Sequence, residues 1–311
     1  MKKSKPYFQG IEDKSEEPVR VFGEKICHAF ESIRQELNEE YGGILDDFNL
    51  NVLINKESAK GPYCSDKFIH IHDVFLSYLW CHCYGLMILT PMSGKSLNKQ
   101  EEQQARELLE HAQNLLSYHR KWDRIILPNP EMHGSDEKKL IGVANACFWY
   151  AINYILYHEF AHKVLGHLDK LQELRSNGLL SKEKLLQFEK EADLFALNRI
   201  MENPLIKGTK HVSSVQMGIL SALSSIMFTS VSVSGGISHP DPDHRIQYSI
   251  ENLDIEDNDF IWGFASWIFI TWEQYHNAWF RLWPTNKVGQ PFKEQFEETL
   301  RLMDKIKEER K

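Results

Sequence analysis

Three side chains within five positions could bind a metal ion and carry out acid–base chemistry. Residues 158–167 read HEFAHKVLGH, so His158 and His162 are separated by four positions. On a helix, residues at that separation lie one above the other on the same face, and both imidazoles can reach one metal ion. Glu159, beside the first histidine, can act on a water molecule instead of binding the metal. This HExxH spacing is that of zinc peptidases, and it predicts metal-dependent hydrolysis if the segment is helical.

The sequence around the motif favours a helix buried in a protein core. Residues 140–160 contain no proline and are apolar on nearly every side, as a core helix should be. Ser135, Asp136 and Glu137 supply a cap and acidic residues for a first turn. Gly166 is suited to the end of the same helix.

A third metal ligand is expected downstream, because catalytic zinc sites use three protein ligands and a water molecule. Residues 188–196 read FEKEADLFA, in a second predicted helix that begins near Ser181. Glu189 and Asp193 share a face of that helix. We expect Glu189 to bind the zinc ion and Asp193 to accept the free ring N–H of a ligand histidine. Glu191, on a different face, is the second candidate ligand; the alternative is that these acids form a solvated helix surface.

A different zinc motif, HExxHxxGxxH, does not fit the register of this sequence. It requires glycine at 165 and histidine at 168, and both positions are leucine. His167 is five positions beyond His162, so it points away from the predicted metal-facing side. We interpret His167 as a helix-end histidine near the last carbonyl groups rather than as a catalytic residue.

The two motifs together resemble those of the gluzincin metallopeptidases, in which HExxH is followed by ExxAD. Residues 239–246, HPDPDHRI, are also similar to the HPxxxxRI element of the CAAX prenyl protease branch. The resemblance implies a zincin-like core, with His239 stabilising the substrate oxyanion and Arg245 holding the site together. His244 is adjacent to Arg245 and stays open as an alternative to His239.

The chain also resembles the Lit family of bacterial phage-exclusion peptidases. The likeness rests on the length of 311 residues, on HEFAH and EADLFA, and on the tract FLSYLW at residues 75–80. It implies a defence protease that a phage-derived activator switches on and that cleaves a host translation factor, with elongation factor Tu as the target.

Charge and cysteine content favour a cytoplasmic protein without a nucleic-acid partner, and the peptidase motifs imply a protein or peptide substrate. The formal net charge is −8, which argues against a nucleic-acid partner, because such a protein needs a basic face. The five cysteines are scattered and odd in number, as expected of free thiols in a reducing compartment. No apolar run follows the basic N-terminus, so a secretory signal is not expected.

Two uncharged stretches raise the question of a membrane contact. Residues 211–238 are rich in serine, and a core helix behind the zinc site is favoured over a spanning helix. Residues 260–272 are too short to cross a bilayer. Five of the eight tryptophans lie within 260–283, which we interpret as a packing face. We expect no transmembrane anchor, but the sequence leaves open whether either stretch touches a membrane surface.

Periodicity predicts a mainly α fold with a small β-sheet beside the zinc helix. Strands are expected at 49–54, 68–72 and 124–127, and helices at 19–41, 74–89, 99–122, around the two motifs, through the uncharged stretch and at 260–280. The predicted organisation is a flexible arm at 1–18, a peptidase domain at 19–283 and a C-terminal helix within 284–311.

The leading hypothesis is a zinc metalloendopeptidase with one Zn²⁺ per chain. One alternative is a regulatory protease that cuts a repressor, which a DNA-binding motif would favour; the sequence contains none that is evident. The other is a non-catalytic scaffold that binds zinc for stability. Glu159 argues against the scaffold, because a purely structural site has no need of a base there.

Overall fold

A computed structural model describes residues 17–54, 57–90, 99–132, 137–209, 212–229, 240–276 and 290–309. A short 3-10 turn at Pro18–Phe22 precedes the first helix. The helices are α1 Gly23–Glu40, α2 Asp73–Leu89, α3 Lys99–Ser117, α4 Glu137–Val164, α5 His167–Ser176, α6 Lys182–Met201, α7 Val212–Met227, α8 Pro242–Glu251, α9 Phe260–Tyr275 and α10 Phe292–Glu309. The strands are β1 Asn49–Leu53, β2 Tyr63–Cys64 and β3 Phe68–His72. The predicted class, mainly α with a small sheet, is confirmed.

The sheet has the order β1-β3-β2, with β3 in the middle. β1 runs parallel to β3, with Val52 opposite Ile71, and β2 runs antiparallel to it, with Cys64 opposite Ile69. Ile69 and Ile71 are fully buried, which is the alternation expected of a strand with one face on the core. β1 and β3 were predicted from this alternation, whereas β2 is too short to leave a pattern.

α4 is the central helix, in contact with α1, α2, α6 and α7 and with the sheet. Ala144, Phe148, Ala151 and Ile152 on it are fully buried. α7 crosses it closely at Gly218, where an added Cβ would lie 2.5 Å from the Cβ of Tyr150. This tight packing on several sides explains why the sequence of α4 is apolar nearly all round.

Of the serine-rich stretch, residues 230–238 lie outside the described residues, and residues 212–227 form the core helix α7, as predicted. Its hydroxyl groups are satisfied inside the protein: Ser225 donates to the carbonyl of Ala222 at 2.7 Å, and Ser224 lies 2.8 Å from the ring of His82. Such local hydrogen bonds remove most of the cost of burying a hydroxyl group.

One helix among the described residues, Lys139–Val164, is long and apolar enough to cross a membrane by length and composition. That helix is α4, which packs against α1, α2, α6 and α7 and is more than half buried. Its hydropathy is explained by its central position, and it gives no clear transmembrane anchor.

Two local predictions were wrong. Residues 124–127 form a turn rather than a strand, because Oδ1 of Asp123 accepts hydrogen bonds from the backbone N–H groups of Ile125 and Ile126. α3 ends at Ser117 rather than at residue 122. The chain leaves the helical path there, and the buried Trp122 packs with its ring centroid 5.7 Å from that of Trp80.

The C-terminal helix α10 packs on α9, with the rings of Phe296 and Phe269 stacked at 5.7 Å. Trp262 and Trp272 of α9 are buried, so packing is confirmed for this part of the tryptophan-rich stretch. Residues 277–289 and most of the predicted arm lie outside the described residues, and the proposed domain limits stay a prediction.

Candidate metal centre

The HExxH residues lie in the last two turns of α4. His158 and Glu159 are buried, and the two imidazoles meet edge to face with centroids 4.9 Å apart. Gly166 follows the helix in the left-handed conformation, with φ of 67°, where a side chain would be strained. The predicted helix end at Gly166 is therefore confirmed, and the predicted cap at 135–136 lies outside the described residues.

α6 brings the carboxylate of Glu189 to the two histidines. The helix begins after Ser181, whose side chain accepts a hydrogen bond from the N–H of Lys184, as a cap residue should. Oε2 of Glu189 lies 3.7 Å from Nε2 of His158, and Oε1 lies 3.7 Å from Nε2 of His162. The two Nε2 atoms are 3.2 Å apart.

This spacing fits a tetrahedral zinc site. With zinc–nitrogen bonds of 2.0–2.1 Å, tetrahedral ligand atoms lie about 3.3 Å apart. His158, His162 and Glu189 offer ligand atoms that all lie within 4.8 Å of one another. Two imidazoles and one carboxylate are also the donor types of catalytic zinc sites, which keep a fourth position for water or substrate.

Asp193, one turn after Glu189, lies behind His158. Its Oδ1 is 2.9 Å from Nδ1 of His158, so the carboxylate favours a proton on Nδ1 and leaves the Nε2 lone pair directed at Glu189 and His162. Asp193 also accepts hydrogen bonds from Tyr154, at 2.9 Å, and from the hydroxyl of Tyr248. Asp193 therefore has the position expected of the residue that orients a ligand.

The charge on Asp193 is balanced by Arg245 of α8. The guanidinium donates from Nε to Oδ2 at 2.8 Å and from Nη2 to Oδ1 at 2.6 Å, and both residues are buried. Burial alone would raise the pKa of Asp193, but Arg245 and then His158 outweigh it and hold that pKa well below its usual range. Asp193 thus stays an acceptor at neutral pH.

The two histidines are held in different electrostatic environments. Burial would lower the pKa of His158, but the hydrogen bond and charge of Asp193 raise it instead. Burial, with the nearby His158, lowers the pKa of His162 to about 3. A neutral His162 has a lone pair available for a metal ion.

A cavity of about 250 Å³ lies beside the candidate centre. His158, Glu159 and Glu189 contribute to its wall, together with Tyr154 and Arg245. The rest of the wall is mostly apolar and includes Pro62, Phe75, Leu116, Leu223 and Ile226. Glu159 therefore faces the same space as the candidate ligands, where a substrate could approach.

Residues 240–246 of the HPDPDHRI segment form the first residues of α8 and the two residues before it. Arg245 holds Asp193, which fits the structural role implied by the resemblance, and His239 lies outside the described residues. The ring of His244 is half-exposed and lies 3.9 Å from Asp304 of α10. His244 thus faces the C-terminal helix rather than the candidate ligands.

A second group, Asp241, Asp243 and His244, has side chains close enough to hold a cation. Lys307 of α10 already lies among them, with Nζ 2.9 Å from Asp241 and 2.7 Å from Asp243. The ammonium group neutralises these carboxylates, so the group is an ion-pair cluster that ties α10 to α8.

The interpretation of His167 as a helix-end residue was wrong. His167 begins α5 and is fully buried, with Nδ1 3.2 Å from Nδ1 of His162 and Nε2 3.0 Å from Glu191. The prediction extended the helical periodicity of α4 to residue 167, although Gly166 was expected to end that helix. The glycine before His167 was the available signal, because a helix that ends at a left-handed glycine no longer fixes by its periodicity where the next side chain lies.

Comparison with known proteins gives one informative match. The family model of peptidase U49 matches residues 69–265, which is more than half of the 311-residue chain. The matched span includes β3, α4, α6 and α8, and thus every described residue of the candidate centre. No curated protein and no solved structure gives a significant match. The chain belongs to the peptidase U49 family and is therefore a peptidase.

Proposed function

We propose that this peptidase is a zinc-dependent endopeptidase with a zincin-like core, in which His158, His162 and Glu189 hold one Zn²⁺. The observation that carries the proposal is the convergence of three ligand atoms at 3.2–3.7 Å, beside a cavity that His158 and Glu189 line. When both imidazoles carry their proton on Nδ1, two Nε2 lone pairs and a carboxylate face one another, and a cation bound between them would stabilise that arrangement.

The mechanism assigns each nearby side chain one task. A bound zinc ion would polarise the scissile carbonyl and lower the pKa of water from about 15.7 towards 7. Glu159 accepts the proton of the attacking water and delivers it to the leaving amine. Asp193 keeps His158 in the correct tautomer, and Arg245 keeps Asp193 in place. By the resemblance described above, His239 donates to the developing oxyanion.

The position of β2 supports binding of an extended peptide. β2 lies at one edge of the sheet, and Gly61 and Pro62, just before it, line the cavity. A substrate backbone that adds to this edge would run past the candidate ligands. The substrate is therefore a protein or peptide bound in an extended conformation.

Replacement of Glu159 by glutamine is the direct test. Glu159→Gln keeps the size of the side chain and removes its basicity, so we expect peptide hydrolysis to fall by about 10²–10⁴-fold. Zinc content should stay at one per chain, and the melting temperature should be near that of the wild type. Hydrolysis, metal content and thermal unfolding are measured on the same preparations.

His244→Ala is a matched control, because this half-exposed histidine faces α10 rather than the cavity. It should keep full activity. Near-wild-type turnover by Glu159→Gln would contradict the mechanism. Zinc binding by a wild type that hydrolyses no protein substrate, even in extracts of phage-infected cells, would instead favour the alternative of a zinc-stabilised scaffold.

The resemblance to the Lit family supports a more specific proposal. According to this proposal, the chain is a cytoplasmic phage-defence protease that stays inactive until a phage-derived activator is present. Its target is a host protein, and elongation factor Tu is the candidate. The free thiols of all five cysteines suit a reducing compartment.

Expression in bacteria provides the test of this biological role. Cells that produce the wild type alone should grow normally, and infection should trigger cleavage of elongation factor Tu. Cells that produce Glu159→Gln should show no cleavage. Intact elongation factor Tu in infected cells would refute the target, and cleavage of a transcriptional repressor would favour the regulatory alternative.

A further inference from the structure

His167 and Glu191 form a chain of contacts on the side of His162 that faces away from Glu189. Nδ1 of His162 lies 3.2 Å from Nδ1 of His167, and Nε2 of His167 lies 3.0 Å from Oε2 of Glu191. Glu191 is also held by Gln187, which donates to its Oε1 at 2.7 Å. The chain thus runs from α6 through the start of α5 to a candidate ligand on α4.

The local sequence and packing fix the position of the His167 ring. The left-handed turn at Gly166 ends α4 and lets α5 begin at once with His167. The ring of His167 is fully buried and stacks on Phe188 of α6, with centroids 4.6 Å apart. The ring is therefore fixed in orientation by packing as well as by its polar contacts.

The order of acceptors determines where the protons lie. A carboxylate can only accept, so Glu191 requires a proton on Nε2 of His167. Nδ1 of a neutral His167 is then an acceptor, and it requires a proton on Nδ1 of His162. That tautomer leaves the lone pair of His162 on Nε2, which is the atom that faces His158 and Glu189.

We propose that His167, oriented by Glu191, is a positioning residue that fixes the tautomer and ring orientation of His162 for metal binding. The inference rests on the proposed zinc site. In this arrangement His167 orients His162 in the way that Asp193 orients His158. An imidazole, rather than a carboxylate, faces His162, so the two ligand histidines differ in how strongly their partners donate electron density.

The test compares zinc affinity among variants of the whole chain. His167→Phe keeps an aromatic ring against Phe188 and removes the acceptor. His167→Asn shortens the side chain and keeps an acceptor oxygen near the position of Nδ1. His111→Phe is the matched control, because it makes the same change at a buried histidine of α3 whose ring contacts Trp122.

Zinc dissociation constants are measured by competition with a chelator, and the visible absorption of the Co²⁺-loaded protein reports the ligand field. His167→Phe should weaken zinc binding by about 10–100-fold and change the Co²⁺ spectrum. His167→Asn should recover a large part of the loss. His111→Phe should bind zinc as the wild type does, even if it unfolds at a lower temperature.

Glu191 provides a second pair of variants that does not disturb the core, because its side chain is 40% exposed. Glu191→Ala should weaken zinc binding by about three- to tenfold, less than the roughly 10–100-fold loss typical of a residue that contacts a ligand directly, because Glu191 acts on His162 only through His167. Glu191→Gln keeps an acceptor oxygen and should restore most of the affinity. If His167→Phe does not fold, the zinc affinities of Glu191→Ala and Glu191→Gln test the proposal.

Two outcomes would overturn the inference, and they are distinguishable. If the wild type binds zinc, and His167→Phe and Glu191→Ala bind it equally well with unchanged Co²⁺ spectra, then His167 is a packing residue. If the wild type does not bind zinc at all, the proposed metal site fails and this inference fails with it.

Discussion

Glu189 and Glu191 are two positions apart on α6 but have different partners. Glu189 lies 3.7 Å from Nε2 of both ligand histidines, whereas Glu191 contacts His167. Glu189→Ala should therefore weaken zinc binding by more than about 100-fold, beyond the effect of losing an indirect partner. The loss in Glu191→Ala should be no more than about tenfold. A metal titration that gives the opposite order would show that the third ligand is misassigned.

His239 is the residue whose predicted role depends most on resemblance. If it donates to the oxyanion, His239→Ala should lower kcat by about 10²–10³-fold, with KM and zinc content little changed. His244→Ala, five residues away, should keep the wild-type kcat. Steady-state kinetics with one peptide substrate separates the two parameters, and an unchanged kcat in His239→Ala would remove His239 from the mechanism.

At the scale of elements, one buried ion pair joins α6 to α8. Arg245→Leu leaves the carboxylate of Asp193 buried without its counter-charge, so the free energy of unfolding should fall by about 3–5 kcal/mol. The double variant Asp193→Asn, Arg245→Leu removes the uncompensated charge and should be more stable than Arg245→Leu alone. Chemical denaturation of the metal-free proteins measures both effects.

An exposed ion pair provides the control for that measurement. Arg106 of α3 pairs with Glu102 at 2.8 Å, and both side chains are well exposed. Arg106→Leu should change the free energy of unfolding by no more than about 0.5 kcal/mol. Equal decreases in the free energy of unfolding for Arg106→Leu and Arg245→Leu would mean that the buried ion pair stabilises the packing of α6 against α8 no more than an exposed pair does.

Elements with a regular pattern were predictable from the sequence, and those set by tertiary contacts were not. The period-2 alternation of Phe68–His72 predicted β3, and Ser181 predicted the start of α6. Residues 124–127 were misassigned, because the hydrogen bonds of Asp123 outweigh a short apolar run. α5 was missed, because the pattern before residue 166 gives no sign of how the chain continues after the turn.

Within the candidate site, too, residues placed by helical periodicity were predictable and residues placed by tertiary contacts were not. The positions of His158, His162 and Glu189 follow from helical periodicity once α4 and α6 are recognised. The contact of Asp193 with His158 was also predicted, because it lies one turn from Glu189. The pairing of His167 with His162 was not, because it depends on a single left-handed residue and on the packing of α5 against α6.

At the scale of the whole molecule, the candidate ligands come from two helices that belong to one core. α4 contacts α1, α2, α6 and α7, and α6 supplies Glu189. A ligand that binds only the folded state adds RT ln(1 + [L]/Kd) to the free energy of unfolding, which is about 4.1 kcal/mol at a free concentration of 1,000 Kd. Because α4 is central, zinc should raise the melting temperature of the whole core and not of one segment.

Thermal unfolding of the chelator-treated protein, with and without added Zn²⁺, checks this prediction. Zn²⁺ should raise the melting temperature of the wild type and of Glu159→Gln, which keeps all three ligands. It should have little effect on Glu189→Ala. Mg²⁺ is the matched control, because it prefers oxygen ligands in octahedral geometry and should not stabilise a site with two imidazoles. Equal stabilisation by Mg²⁺ and Zn²⁺, or none by Zn²⁺, would contradict a zinc site shared by α4 and α6.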